Sequence, residues 1–193
     1  MHLIQRCALW TVMGLLACGS AFAQVSVADV KYDATAIVQG QPLQLNGAGV
    51  RYKAVFKVYT AGLYLEKKAS TLQEVLAQQG PKRMRIVMLR EIDSGELGKL
   101  FSRGIEDNMD KAAFSKLVPG VLRMGQIFSE HKKLLPGEEF MVDWVPGKGT
   151  VITVKGKVEG EPFKEPEFFG ALMGIWLGPQ PADWKLKEAL LGH

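Results

Sequence analysis

Few residues in this sequence of 193 stand at spacings that make or break bonds. Beyond residue 23 the only histidines are His131 and His193, and neither has a second histidine or a cysteine at a ligand spacing, so no metal site is expected. His131 lies among Glu130, Lys132 and Lys133 and reads as a solvated cation at a helix end. The patterns of a nucleophile elbow, a P-loop and a dinucleotide fold are absent, and no cofactor is expected. Gly147-Lys148-Gly149-Thr150 resembles a phosphate loop but precedes a strand rather than a helix, which makes it a hairpin turn. One segment stands out: Gly47-Ala48-Gly49-Val50-Arg51, followed by Phe56-Lys57-Val58-Tyr59-Thr60-Ala61-Gly62-Leu63-Tyr64-Leu65-Glu66. It joins a cation behind a glycine-rich stretch to an aromatic strand with polar tips.

The elements that must position this segment follow from periodicity. Gln24 to Tyr32 alternates as one strand with a slip, and Pro42–Leu45 and Val55–Leu65 are β-rich runs, with Asn46-Gly47-Ala48-Gly49 between them predicting a turn. Ser70 with Gln73 forms a capping box that opens a short helix closed by Gly80-Pro81. A strand from Met84 to Leu89 follows. Asp93 with Glu96 caps an amphipathic helix carrying Leu97, Leu100, Phe101 and Ile105 on one face. A further helical stretch carrying Phe114, Leu117, Val118, Val121, Leu122 and Phe128 on one face is expected to kink or split at Pro119-Gly120. Glu139–Val145 and Thr150–Val158 predict a hairpin, and Pro166–Leu177 with Ala182–Leu191 a helical C-terminus. Helices and strands alternate too rarely for a doubly wound sheet, so the fold class is α+β, a mainly antiparallel sheet with helices packed on one face.

Residues 1–23 read as a cleavable signal peptide. Arg6 precedes an apolar run from Cys7 to Cys18, and Ala21-Phe22-Ala23 supplies the cut before Gln24. The run is shorter than the roughly 20 residues a bilayer-spanning helix needs, and no later stretch predicts a transmembrane segment. The expectation is a periplasmic or secreted protein, with a lipoprotein route through Leu15-Leu16-Ala17-Cys18 as the lesser alternative. Both cysteines fall in the leader, so residues 24–193 form one domain stabilised by packing alone. The formal net charge of +4 is a weak bias without a basic track, which argues against nucleic acid as a partner. Nothing in the sequence predicts an oligomeric state.

The glycine-arginine stretch, the aromatic strand after it, Phe101 to Asn108, and Ile175-Trp176-Leu177-Gly178 running into Lys185 to Leu191 together resemble the chalcone isomerase-like family, in the same order over nearly the whole of residues 24–193. The resemblance implies an open-faced sandwich with a ligand cleft between sheet and helices. In the plant enzymes that close a chalcone, an arginine stabilises the developing oxyanion, and hydroxyls with a water orient the ketone. Arg51 matches the arginine and Asn108 an asparagine of the site. Tyr59 replaces a smaller strand hydroxyl, Phe101 a catalytic tyrosine, Gly104 a lysine, and Ile175 falls near a further hydroxyl. Loss of one oxyanion donor costs about 10²–10³ in rate. The pattern is closer to the non-catalytic branch that binds fatty acids, in which an arginine and a tyrosine hold the carboxylate.

The leading expectation is therefore a non-catalytic, exported binder of a small apolar acid or fatty acid, with Arg51, Tyr59, Phe101 and Asn108 at the ligand. The alternatives are an intramolecular lyase or isomerase acting on a chalcone-like ketone through Arg51, Tyr59 and Asn108, and an envelope interaction module with a collapsed cleft. A guanidinium grips a carboxylate with two parallel bonds and a phenol adds one directed donor. On one unbroken strand, however, eight residues separate the two groups by about 26 Å. The clamp thus requires a bulge or turn between Arg51 and Val55. Otherwise Arg51 pairs with an acid at the sheet edge, and Tyr59 is an ordinary strand aromatic. Lys57 reads as a rim residue. Met84, Met88, Met124 and Met173 either line a lipid pocket or fill the core, and Trp144 and Trp176 read as core.

Overall fold

The computed structural model describes residues 24–193; the expected signal peptide and both cysteines lie outside the described residues. A short hairpin, β1 (Gln24–Val27) and β2 (Val30–Asp33), leads into β3 (Thr35–Val38), β4 (Gln41–Lys53) and β5 (Phe56–Leu65). Then follow α1 (Leu72–Ala77), β6 (Lys82–Met88), β7 (Ile92–Asp93), α2 (Ser94–Glu106), α3 (Lys111–Ser129) and β8 (Lys133–Leu134). The chain ends with β9 (Glu139–Val145), β10 (Gly149–Val154), β11 (Lys157–Phe163), α4 (Pro166–Leu177) and α5 (Trp184–Leu190). Seven strands form one antiparallel sheet in the order β11-β10-β9-β6-β5-β4-β3. The expected α+β architecture is the observed one.

Alternation along the strands divides the sheet into two faces. Tyr59, Ala61, Leu63, Met84, Ile86, Phe140 and Val142 point into the main core beneath the helices. Tyr32, Leu43, Leu45 and Tyr64 form a second, smaller cluster under the β1–β2 hairpin. α4 runs through the main core and is apolar nearly all round, as a buried helix must be. The four methionines Met84, Met88, Met124 and Met173 are all core residues.

Asn46-Gly47-Ala48-Gly49 is no turn but the middle of β4. A register shift between Leu45 and Gly47 turns the following residues over, so Leu45 faces the small cluster while Gly47 and Gly49 face α5. There the glycines answer to contact, not to chain reversal: a Cβ on Gly47 would lie 1.9 Å from the Ala189 carbonyl oxygen. The reversal instead falls at Ala54-Val55, where Ala54 adopts φ 54°, and it provides the bend that the clamp requires.

Four other boundaries differ from expectation. Gln24–Tyr32 is a hairpin, because Ala28 and Asp29 both take positive φ. The cap of α1 is Thr71, which accepts from the Glu74 N–H while Glu74 accepts from Ser70. α3 is one helix despite Pro119; Gly120 packs so close to Phe168 that a Cβ would approach its ring to 2.8 Å. The second strand of the Pro146 hairpin stops at Val154, and Lys155-Gly156, both at positive φ, turn the chain into β11.

Candidate functional site

A cavity of about 160 Å³ opens between the sheet and the helices, with Arg51 and Tyr59 on its sheet wall. The two residues stand directly opposite each other across the β4–β5 ladder, where side chains on one face lie about 5 Å apart. The hairpin reverses the chain between them, so the distance along a single strand is irrelevant. The guanidinium carbon of Arg51 lies 5.5 Å from the centre of the Tyr59 ring, a cation–π contact that orients it.

Arg51 Nε is buried without a hydrogen-bond partner, and among the described residues no carboxylate forms an ion pair with Arg51. The edge-pairing alternative is therefore not what this residue does. A buried donor without a partner costs about 1–3 kcal/mol, a cost that an incoming acceptor would remove. Tyr59 is buried, and its hydroxyl accepts a hydrogen bond from Trp176 Nε1 at 2.8 Å. The phenol proton is thereby left to be donated elsewhere. Burial raises the Tyr59 pKa, opposed by the nearby Arg51 charge and the Trp176 bond, so the group is a neutral donor at ordinary pH.

α2 forms the opposite wall. Its N-cap is Asp93, which accepts from the Glu96 N–H as expected, and the helical period brings Leu97, Leu100, Phe101 and Gly104 to the cavity. Phe101 is the floor: its ring stacks on Phe128 at 5.2 Å and meets Phe140 and Trp176 edge-on at 5.6 and 5.9 Å. Gly104 allows α2 to approach α4, since a Cβ there would come within 3.1 Å of Ile175. Apart from Arg51 and Tyr59 the polar groups are at the rim, where Arg103 and Asp107 form an exposed ion pair at 3.6 Å.

Asn108 is not among the residues lining the cavity. Its amide donates to the Gly104 and Gln180 carbonyls and accepts from the Gln180 N–H, each at 2.8 Å. It ties the end of α2 to the loop whose Gln180, Pro181 and Ala182 close the rim. The structure thus brings Arg51, Tyr59 and Phe101 together and leaves Asn108 behind the wall. Sequence reasoning placed Trp176 in the core without seeing that it also lines the cavity and holds the Tyr59 hydroxyl. The available signal was chemical: a buried indole N–H needs an acceptor.

Among the described residues no cluster of His, Cys, Asp and Glu could hold a metal ion, and no helix is long and apolar enough to cross a membrane.

A family profile described as chalcone isomerase-like matches residues 24–192. Among solved structures, the chain is similar to a fatty-acid binding protein of Arabidopsis thaliana, with a TM-score of 0.68 and 16% identity, over 88% of this chain and 96% of that one. At that identity the likeness is one of fold. A search of curated proteins finds no match.

Proposed function

The chain belongs to the chalcone isomerase-like family, and from that premise we propose that it binds a small apolar carboxylic acid of fatty-acid type without converting it. The observation that carries this reading is the cross-strand pair of Arg51, with its Nε buried and unpartnered, and Tyr59, with its proton free, at the head of an otherwise apolar cavity. The carboxylate would accept from the guanidinium and the phenol, while the acyl chain lies against Leu97, Leu100, Phe101 and Ile175. A volume of about 160 Å³ is below the roughly 300 Å³ at which drug-sized pockets begin. That favours short acyl chains, or longer ones that displace the rim around Arg103 and Gln180.

Fatty-acid binding by the Arabidopsis neighbour supports the same ligand class. The lyase reading has less support: Phe101 carries no hydroxyl, Gly104 no side chain, and the Asn108 amide is already engaged. The open cavity favours a ligand over an interaction module with a collapsed cleft. Extraction of the purified protein and mass spectrometry of the released acids tests the proposal, together with calorimetric titration of straight-chain acids of increasing length. A protein that carries none and binds none overturns it.

Export belongs to the same reading. Cleavage before Gln24 would place residues 24–193 in the periplasm or outside the cell, and the alternative is lipidation at Cys18. N-terminal sequencing of the mature protein decides between them, and an intact Met1 in an exporting host rejects both.

A further inference from the structure

The β4–β5 hairpin that brings Arg51 to Tyr59 extends beyond them into a tip whose composition is unusual for a surface turn. Tyr52, Val55 and Phe56 are 39, 82 and 62% exposed. Nowhere else among the described residues do three exposed large apolar side chains fall within five positions. A third aromatic stands beside them: the Tyr52 N–H donates to Asp183, and the next residue, Trp184, is 57% exposed. Cations accompany this apolar tip. Lys53 and Lys57 lie on the hairpin itself, and Arg90 holds its guanidinium 5.7 Å from the centre of the Phe56 ring. Lys53 pairs with Glu96 at 3.7 Å, whereas Lys57 and Arg90 have no ion-pair partner among the described residues.

The tip also leads to the cavity. A recess of about 80 Å³, whose charged lining is Arg51, Lys53, Arg90, Glu91 and Glu96, shares Arg51, Ile92 and Leu100 with the main cavity; Glu91 is paired with Lys133 and Glu96 with Lys53. A protruding apolar and aromatic tip ringed by cations matches the chemistry of a bilayer interface: apolar groups enter the acyl boundary, Trp and Tyr remain at the headgroups, and Lys and Arg meet lipid phosphates.

We propose that this hairpin tip docks on an anionic lipid bilayer, which sets the Arg51 end of the cavity against the membrane from which an acyl ligand enters or to which it leaves. The purpose assigned to docking rests on the acid-binding reading; docking itself does not, and is measured on ligand-free protein. The full chain is sedimented with vesicles of phosphatidylcholine, alone or mixed with phosphatidylglycerol, with Trp184 fluorescence as a second readout. Wild type is expected on the mixed vesicles, with a blue-shifted emission and weaker partition at high salt.

Val55→Asp combined with Phe56→Asp is expected to lower partition about thirtyfold. Lys57→Gln combined with Arg90→Gln should lower it about tenfold. All four side chains lie outside the clamp, so both variants should keep the unfolding midpoint and the affinity for a soluble short-chain acid. Equal partition of wild type and tip variants, or none for wild type, overturns the proposal. So does a wild-type dimer, seen by sedimentation without vesicles, that the tip substitutions dissociate, because the apolar tip is then a contact between two copies. Loss of acid binding with vesicle docking intact removes the ligand reading and leaves the docking surface standing.

Discussion

Arg51 and Arg83 occupy the strands on either side of β5 in the same sheet, and the two sites could hardly treat a guanidinium more differently. On the face away from the helices, Arg83 stands opposite Asp143 across β6 and β9 and donates to both its oxygens at 2.7 and 2.6 Å. Next to it Arg85 reaches Glu139 at 2.8 Å and the Lys31 carbonyl at 2.9 Å. These cations are answered from within the chain, and the Asp143 bond raises the Arg83 pKa. On the helix face Arg51 has a phenol ring and a cavity. The difference separates a cation paired within the sheet from one whose buried Nε has no partner among the described residues, a distinction that neither residue type nor strand position carries.

Substitutions at the two sites should therefore fail in opposite ways. Arg83→Ala leaves the nearly buried Asp143 uncompensated, and breaking such a pair costs about 3 kcal/mol of stability. Denaturant unfolding should show that loss, with acid affinity unchanged. Arg51→Ala should do the reverse: about 2 kcal/mol, or some thirtyfold, less affinity in calorimetry, and an unfolding midpoint equal to wild type or higher. A clear loss of stability on removing Arg51 would mean that it is a structural cation after all. Tyr59→Phe removes one donor and strands the Trp176 N–H, which should cost about 1 kcal/mol in both affinity and stability.

A further cation on the same sheet gives the smallest effect, one of shape. Lys82 is buried, with its ammonium donating to the Gln78 and Gly80 carbonyls, and burial lowers its pKa to about 8 against the opposing pull of Glu66. Between that value and the ordinary 10.5 the unfolded chain holds a proton that the folded chain has released, so stability should rise with pH across this window. Tyr32, raised to about 12 by burial, and the raised Tyr59 and Tyr64 act oppositely. Above pH 10 the unfolded tyrosines lose protons that the folded ones keep, and stability should fall. Urea unfolding from pH 7 to 11 should trace a rise and then a decline, and Lys82→Met should abolish only the rise.

Much of the fold was legible because it rests on local signals. The caps at Asp93 and the proline start of α4, the amphipathic period of α2 and the Pro146-Gly147 turn all act within a few residues, and each element appears where its signal lies. The misread glycine stretch shows why the rest was not legible. Gly47 and Gly49 look like turn residues, yet they serve α5, which arrives about 140 residues later; Ala54 looks like no turn at all, yet takes φ 54°. A glycine needed for contact and one needed for reversal are the same letter.

The candidate site divides likewise. Arg51, Tyr59 and Phe101 were identifiable from the motifs around them, because those motifs are continuous stretches of chain. That the first two face each other, that Trp176 holds the phenol, and that Asn108 spends its amide on the rim loop are relations between segments more than 40 residues apart or reversed by a turn. By itself the sequence determined the family, the α+β class, most helices and the identity of the cation and the phenol, since these depend on residue type and local period. Only the tertiary structure decided which arginine has a carboxylate and which has none, because pairing depends on strand register and on which face the bulge in β4 turns each side chain toward.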